Sequence, residues 1–187
     1  MRSPDPTALA LRVALAQTGD RRALDRLLRD HQDALYRHAC AIVGDPDLAL
    51  DALQASLLLI ARRLGTVRDP RWFRAWAYRI TTRESLRVAR RLGRDRRMFD
   101  DAVSIESLSE PMQPVEGNDL PPLWAERLVE LPSAAQLVLR LHFLEEMKLA
   151  EIAEALELPL GTVKSRLGYG LTRLRELAAA AAVRNPV

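Results

Sequence analysis

LAEIAEALELPLGTVKSRLGYGLTRLREL, the stretch Leu149–Leu177, reads as two helices joined by a tight turn. Ile152, Leu156 and Leu158 form one apolar set. Val163, Leu167, Leu171 and Leu174 form a second at helical spacing, so the two helices can share a small core. Pro159 and Gly161 punctuate the join, and Thr162 stands where it can cap the second helix. That helix is expected to turn Thr162, Lys164, Ser165, Arg166, Tyr169 and Arg173 away from the core. A short polar and basic helix on a scaffold helix is how helix-turn-helix proteins enter a DNA major groove. An ordinary helical hairpin with a solvated face has the same spacing, so the remaining sequence has to discriminate.

With 187 residues, 48% of them hydrophobic, the chain can form one ordinary core or two small ones. Leu, Ala and Arg dominate while Gly and β-branched residues are sparse, which favours an all-α protein. The net charge is only +3, and of 28 basic residues just Lys148 and Lys164 are lysines. Arginine's planar fork suits phosphate and base-edge recognition, although a GC-rich genome also enriches it. Cys40 is the single cysteine, so neither an intrachain disulfide nor a Cys-based zinc site is expected. His31, His38 and His142 lie near no paired nucleophile, metal-ligand spacing or Gly-rich phosphate loop. No enzyme activity, cofactor, metal or small-molecule substrate is therefore expected. No apolar run approaches a membrane span, so no direct membrane insertion is expected and a cytoplasmic location is the simplest reading.

Taken in order, Ala8–Gln17 reads as a helix broken at Thr18-Gly19-Asp20. Ala23–Val43 follows, with Leu24, Leu27, Leu28, His31, Leu35 and Ile42 on one face; His31 is expected to be a core residue. Gly44-Asp45-Pro46-Asp47 stops that helix and starts another, which runs to about Arg63 with Leu50, Leu53, Leu57, Ile60 and Leu64 inward. Gly65–Arg71 is a loop by its Gly and Pro. Trp72–Arg91 is a helix packing through Phe73, Trp76, Ala77 and Ile80, with one of Trp72 or Tyr78 exposed. These helices predict one N-terminal bundle over residues 8–93. From Phe99 to Pro122 there are six acidic residues, no basic ones and four of the eleven prolines, so 94–122 reads as a flexible linker. A second helical unit over 123–182 then contains Leu123–Leu131, Ala134–Glu145 with Leu137, Val138, Leu141 and Leu144 inward, and the opening hairpin.

Charge is concentrated between Arg62 and Arg97, where thirteen arginines face only Asp69, Glu84 and Asp95. Trp72, Phe73, Trp76 and Tyr78 lie in the same stretch. Arginines that track phosphates beside aromatics on which a base can stack suit single-stranded or melted nucleic acid. A solvated helix face over an aromatic core accounts for the aromatics, but less well for so strong a bias among the arginines.

With these parts in place, the sequence resembles the extracytoplasmic-function (ECF) sigma factors of bacterial RNA polymerase over roughly residues 8–93 and 123–180. The DALQ of Asp51–Gln54 is similar to the family's D-x-V-Q segment, and WFRAWAYRI at Trp72–Ile80 to its F-x-x-W-L-x-R-I segment. LAEIAEAL and LPLGTVKSRL within Leu149–Leu167 are similar to its most recognisable stretch. The resemblance implies two small helical domains, sigma regions 2 and 4, joined by a flexible linker. It implies that Asp51, Gln54 and Leu57 bind the polymerase clamp helices and that the C-terminal unit meets the flap. The loop Gly65–Arg71 would hold a base flipped from the −10 element. Arg68, Arg71, Trp72, Arg79, Arg83, Arg87 and Arg90 would lie along that element. Thr162, Lys164, Ser165, Arg166, Gly168, Tyr169 and Arg173 would read the −35 element.

The linker, 29 residues from Arg94 to Pro122, can stretch to roughly 90 Å. That spans two sites about two DNA turns apart, at roughly 35 Å per turn. By the same resemblance the implied partners are core polymerase, promoter DNA and an anti-sigma protein, through which the chain would be held at the membrane. The sequence departs from the family at Ala55, where Glu is usual, at Arg83, where Asn is usual, and at Gly168 and Gly170. Each glycine in a helix interior costs about 1 kcal/mol relative to Ala; close approach to DNA is one use for it. Two other readings compete: a sigma-like mimic that titrates an anti-sigma protein, and a stand-alone helix-turn-helix regulator.

Overall fold

The computed structural model describes residues 6–91 and 127–184; the predicted linker lies outside them. Among the described residues every regular element is helical. The first unit holds α1 (Pro6–Gln17), α2 (Arg21–Val43), α3 (Pro46–Arg63) and α4 (Phe73–Arg91), with 3-10 turns at Leu64–Thr66 and Pro70–Trp72. Punctuation read from the sequence acts as expected. Asp20 accepts hydrogen bonds from the Arg22 and Ala23 amides (2.8 and 3.1 Å), capping α2. Gly44 ends it in the left-handed region (φ +72°), its N–H donating to Cys40 O (2.9 Å). Asp45 then caps α3 through the amides of Asp47 and Leu48, with Pro46 in the first turn. Three residues thus stop one helix and start the next.

α2, α3 and α4 each pack on the other two, and α1 packs on α2 and the 3-10 turns. Leu27, Leu35, Ile60, Phe73 and Tyr78 form the fully buried centre. His31 belongs to it, as expected. Its Nδ1 donates to the Leu27 carbonyl (2.8 Å), and its ring meets Phe73 edge-on at 5.2 Å. Burial holds its pKa below the ordinary value. His38 Nε2 lies 2.8 Å from the Thr82 hydroxyl, which donates to the Tyr78 carbonyl; the hydroxyl's one proton is thus used, and His38 is the donor.

One inward expectation fails here. Leu50 is 46% exposed, and Leu57 is only half-buried, while Ala49, Ala52, Leu53, Ser56 and Ile60 make the buried stripe. Ala49 and Ala52 pack against Ala39 and Val43 where α2 meets α3, with Tyr36, Cys40 and Leu48 packed at the edge of this contact. The large leucines are turned out.

The second unit contains a 3-10 turn at Leu128–Glu130, α5 (Ser133–Leu139), a π turn at Arg140–Leu144, and α7 (Leu160–Arg184). α6 (Leu149–Leu156) precedes α7. Of the predicted helix Leu123–Leu131, residues 123–126 lie outside the described residues and the remainder is the 3-10 turn. The π turn shifts the helical phase by one residue. Leu144, expected inward, is therefore 45% exposed, while Leu139, Leu141 and Met147 are buried. α6 buries Ile152, Ala155 and Leu156, and α7 buries Val163, Leu167, Leu171 and Leu174, much as the spacing predicts. Leu158 is half-buried in the turn. α7 begins at Leu160, so Thr162 sits inside its first turn and does not cap it; the Pro159 carbonyl accepts from Val163 N (3.1 Å).

Candidate nucleic-acid interface

In the first unit the charge follows one helix face. Arg79, Arg83, Arg87 and Arg90 are spaced at i, i+4, i+8 and i+11, which places them along one side of α4 over about 16 Å. Arg83, Arg87 and Arg90 are exposed and Arg79 is partly buried. Arg87 is ion-paired with Glu84, one turn back. A groove of about 460 Å³ between α3 and α4 has Ala55, Leu58, Leu59 and Ile80 as its apolar lining and Arg62, Arg63, Arg83 and Arg87 among its charged residues.

The aromatics divide by burial. Trp72 is 44% exposed while Phe73 and Tyr78 are buried and Trp76 is half-buried against Phe73. One of the pair Trp72 and Tyr78 is exposed, as expected, and it is Trp72. The loop before it is well formed. Asp69 accepts from the Arg71 amide (3.0 Å), capping the second 3-10 turn, and grips the Arg71 guanidinium through both oxygens. The guanidinium holds the Asp69 carboxyl below its usual range, and Arg71 is held charged in return. Arg68 and Arg71 are both exposed beside Trp72. A cationic loop leading to an exposed indole can take an anionic backbone and a stacked base.

On α3, Asp51 and Gln54 are exposed, and Leu57 is half-buried. Leu50 and Leu58, at 46% and 58% exposure, share the outward side with Gln54 at i, i+4 and i+8. Of the two, Leu50 was expected inward, and Leu58 was assigned to neither side. The signal that could have found them is the Ala49, Ala52 and Ser56 spacing, since a stripe of small residues marks the closely packed side.

The predicted recognition residues on α7 do not share one environment. Lys164 and Arg173 are exposed, Arg173 pairing with Glu176 (2.7 Å). Thr162, Ser165 and Tyr169 are half-buried, and the Ser165 hydroxyl donates to the Thr162 carbonyl (3.0 Å). Arg166, expected to face away from the core, is buried at 3% exposure, and Gly168 is buried as well. Arg166 lies three residues after Val163 and four before Gly170, on the side of α7 that packs inward. Gly170 has a packing role, not the DNA-approach role expected for it. A Cβ there would lie 2.6 Å from Leu139 Cδ1, so its absence lets α5 close on α7.

Known proteins carry the same two parts in the same order. The family model for Sigma-70 region 2 matches residues 27–95, and that for Sigma-70 region 4 matches residues 127–176. The RNA polymerase sigma factor SigV of Bacillus subtilis is 34% identical over 149 residues, 79% of this chain and 86% of that protein. The ECF RNA polymerase sigma factor SigE of Mycolicibacterium smegmatis is 32% identical over 191 residues, 95% of this chain and 70% of that protein. This chain belongs to the ECF sigma factors. A sigma factor is a transcription initiation factor rather than an enzyme. CnrH, solved in complex with the cytosolic domain of CnrY, shares the fold of this sigma factor. Its TM-score is 0.63 at 23% identity, over 92% of this chain and 98% of that one. Among the described residues no group of His, Cys, Asp and Glu could hold a metal ion, and no helix is long and apolar enough to cross a membrane.

Proposed function

We propose that this sigma factor directs promoter-specific initiation by gripping DNA at two points while bound to core polymerase. The observation that carries the reading is the row of arginines along α4, continuous with exposed Trp72 and the cationic loop before it. The loop with Arg68, Arg71 and Trp72 captures an unpaired base of the −10 element, and Arg79, Arg83, Arg87 and Arg90 follow the adjoining strand. Lys164 and Arg173 contact −35 phosphates, with Thr162, Ser165 and Tyr169 facing bases; Arg166 and Gly168 support the helix from its buried side. The outward face of α3, with Asp51, Gln54, Leu50 and Leu58, docks on the polymerase clamp helices, and Leu57 supports it from a half-buried position. The second unit meets the flap.

The chain acts in the cytoplasm, where polymerase and chromosome are. The complex of CnrH with the cytosolic domain of CnrY supports a protein partner for the same fold here, an anti-sigma protein that holds the factor inactive at the membrane. The test is run-off transcription with purified chain, core polymerase and genomic fragments, followed by mapping of start sites. Discrete transcripts absent with core alone are expected. Failure to bind core would refute the reading; core binding without any specific transcript would assign the chain to the mimics.

A further inference from the structure

α1 buries Leu9, Val13 and Ala16 against the rest of the first unit, and no functional residue is expected on it. Its last residue reaches elsewhere. Gln17 Nε2 donates to the Leu64 carbonyl (3.0 Å) and to the Val67 carbonyl (2.8 Å), across 47 and 50 residues of chain. Leu64 O also accepts the Val67 amide (3.1 Å), the bond that closes the 3-10 turn. One planar NH2 group has two protons, and both are used on carbonyls three residues apart, so the pair is satisfied only while the turn keeps this shape. Leu64 and Val67 are buried beneath it, while Gly65, Thr66 and Arg68 stand exposed. At the far end, Asp69 fixes the second 3-10 turn through the Arg71 amide, and Trp72 N donates to Asp69 O (3.0 Å). The loop is pinned at both ends, and one pin belongs to a different helix.

From this geometry we infer that Gln17 is a positioning residue, holding the loop Leu64–Trp72 in the shape that receives an unpaired base. The inference rests on the reading of that loop as a base-capture site. Gln17 touches no DNA; it acts through two backbone carbonyls. A loop that must be ordered at the moment of capture loses affinity by the fraction of time it spends in other shapes.

Two variants of the full chain test this. Gln17→Met keeps the length and packing of the stem but has no donor, and Gln17→Glu presents oxygen to the two carbonyls. Hydrogen exchange at Gly65–Arg68 should quicken about tenfold in both, equivalent to ~1.4 kcal/mol, with exchange in α4 unchanged. With reconstituted holoenzyme on a promoter mapped with the wild-type chain, core affinity and binding of the closed duplex should stay within about twofold. Permanganate reactivity of −10 thymines should fall about tenfold. A purely structural Gln17 would instead speed exchange throughout the first unit and lower core affinity in parallel. Unchanged loop exchange overturns the inference, as does quickened exchange with undiminished promoter opening. A wild-type chain that yields no transcript at all refutes the base-capture reading itself, and the inference falls with it.

Discussion

Gly170→Ala should destabilise α7, although the same change in a solvent-facing helix interior would stabilise it by about 1 kcal/mol. The sign is decided by Leu139. A Cβ at Gly170 would lie 2.6 Å from its Cδ1 and 3.2 Å from its Cγ, with Ala135 Cβ at 3.5 Å. Leu139 is fully buried, so its methyl has no open direction in which to retreat. Overpacking of this kind costs about 1–3 kcal/mol. Subtracting the helix-propensity gain leaves a net loss of about 1 kcal/mol. Two helical units make a single melting curve ambiguous, so the assay is native-state hydrogen exchange of α7 amides. Leu139→Val shortens the opposing side chain; in that background Gly170→Ala should be neutral or favourable, a coupling of about 1 kcal/mol. Slower α7 exchange on Gly170→Ala alone, or no coupling to Leu139, would refute the close α5–α7 contact as the reason for this glycine.

Burial lowers the pKa of His31, so the folded chain takes up that proton at a lower pH than the unfolded chain does. Its contribution to stability is complete above the ordinary value of 6.5 and is lost as pH falls through the lowered folded value; urea titrations across that window should flatten in His31→Gln. Lys164→Ala and Arg166→Ala should separate in their effects. The exposed lysine should lower −35 affinity and reduce the salt slope by about 1, whereas loss of the buried arginine should first lower the stability of α7. Thr82→Val should cost about 1–3 kcal/mol in urea unfolding, because His38 Nε2 loses its acceptor while the packing volume is kept.

Features encoded within a few adjacent residues were legible in the sequence. Gly44, Asp45 and Pro46 read as a stop and a start because capping and left-handed geometry are local chemistry. The i, i+4, i+8 and i+11 spacing of Arg79, Arg83, Arg87 and Arg90 is present in the sequence, and Trp72 is one of the two aromatics, with Tyr78, of which one was expected to be exposed. Features set by a second element were not legible. Leu50 and Leu144 are apolar at helical spacing, yet the closeness of α2 to α3 turns one outward and a π turn the other. Gly170 reads in the sequence as a means of close approach to DNA, because Leu139, which fills the space of its missing Cβ, lies on another helix. Thr162 is a good cap type, but the Pro159 carbonyl is already positioned one turn earlier. Gln17 carries no periodic or motif signal, since its partners lie 47 and 50 residues away and are backbone carbonyls.

The outward leucines of α3 have a calorimetric consequence. Leu50 and Leu58 keep much of their surface in water in the isolated chain, while Ala52 and Ser56 occupy the dry side. Whatever covers that stripe releases ordered hydration water from two leucyl groups, so association through α3 should carry a negative heat-capacity change. The arginine row on α4 gives a different mark, since displacing counterions leaves its trace in salt dependence. Titrations repeated at several temperatures and several salt concentrations would therefore tell which helix a given ligand has met.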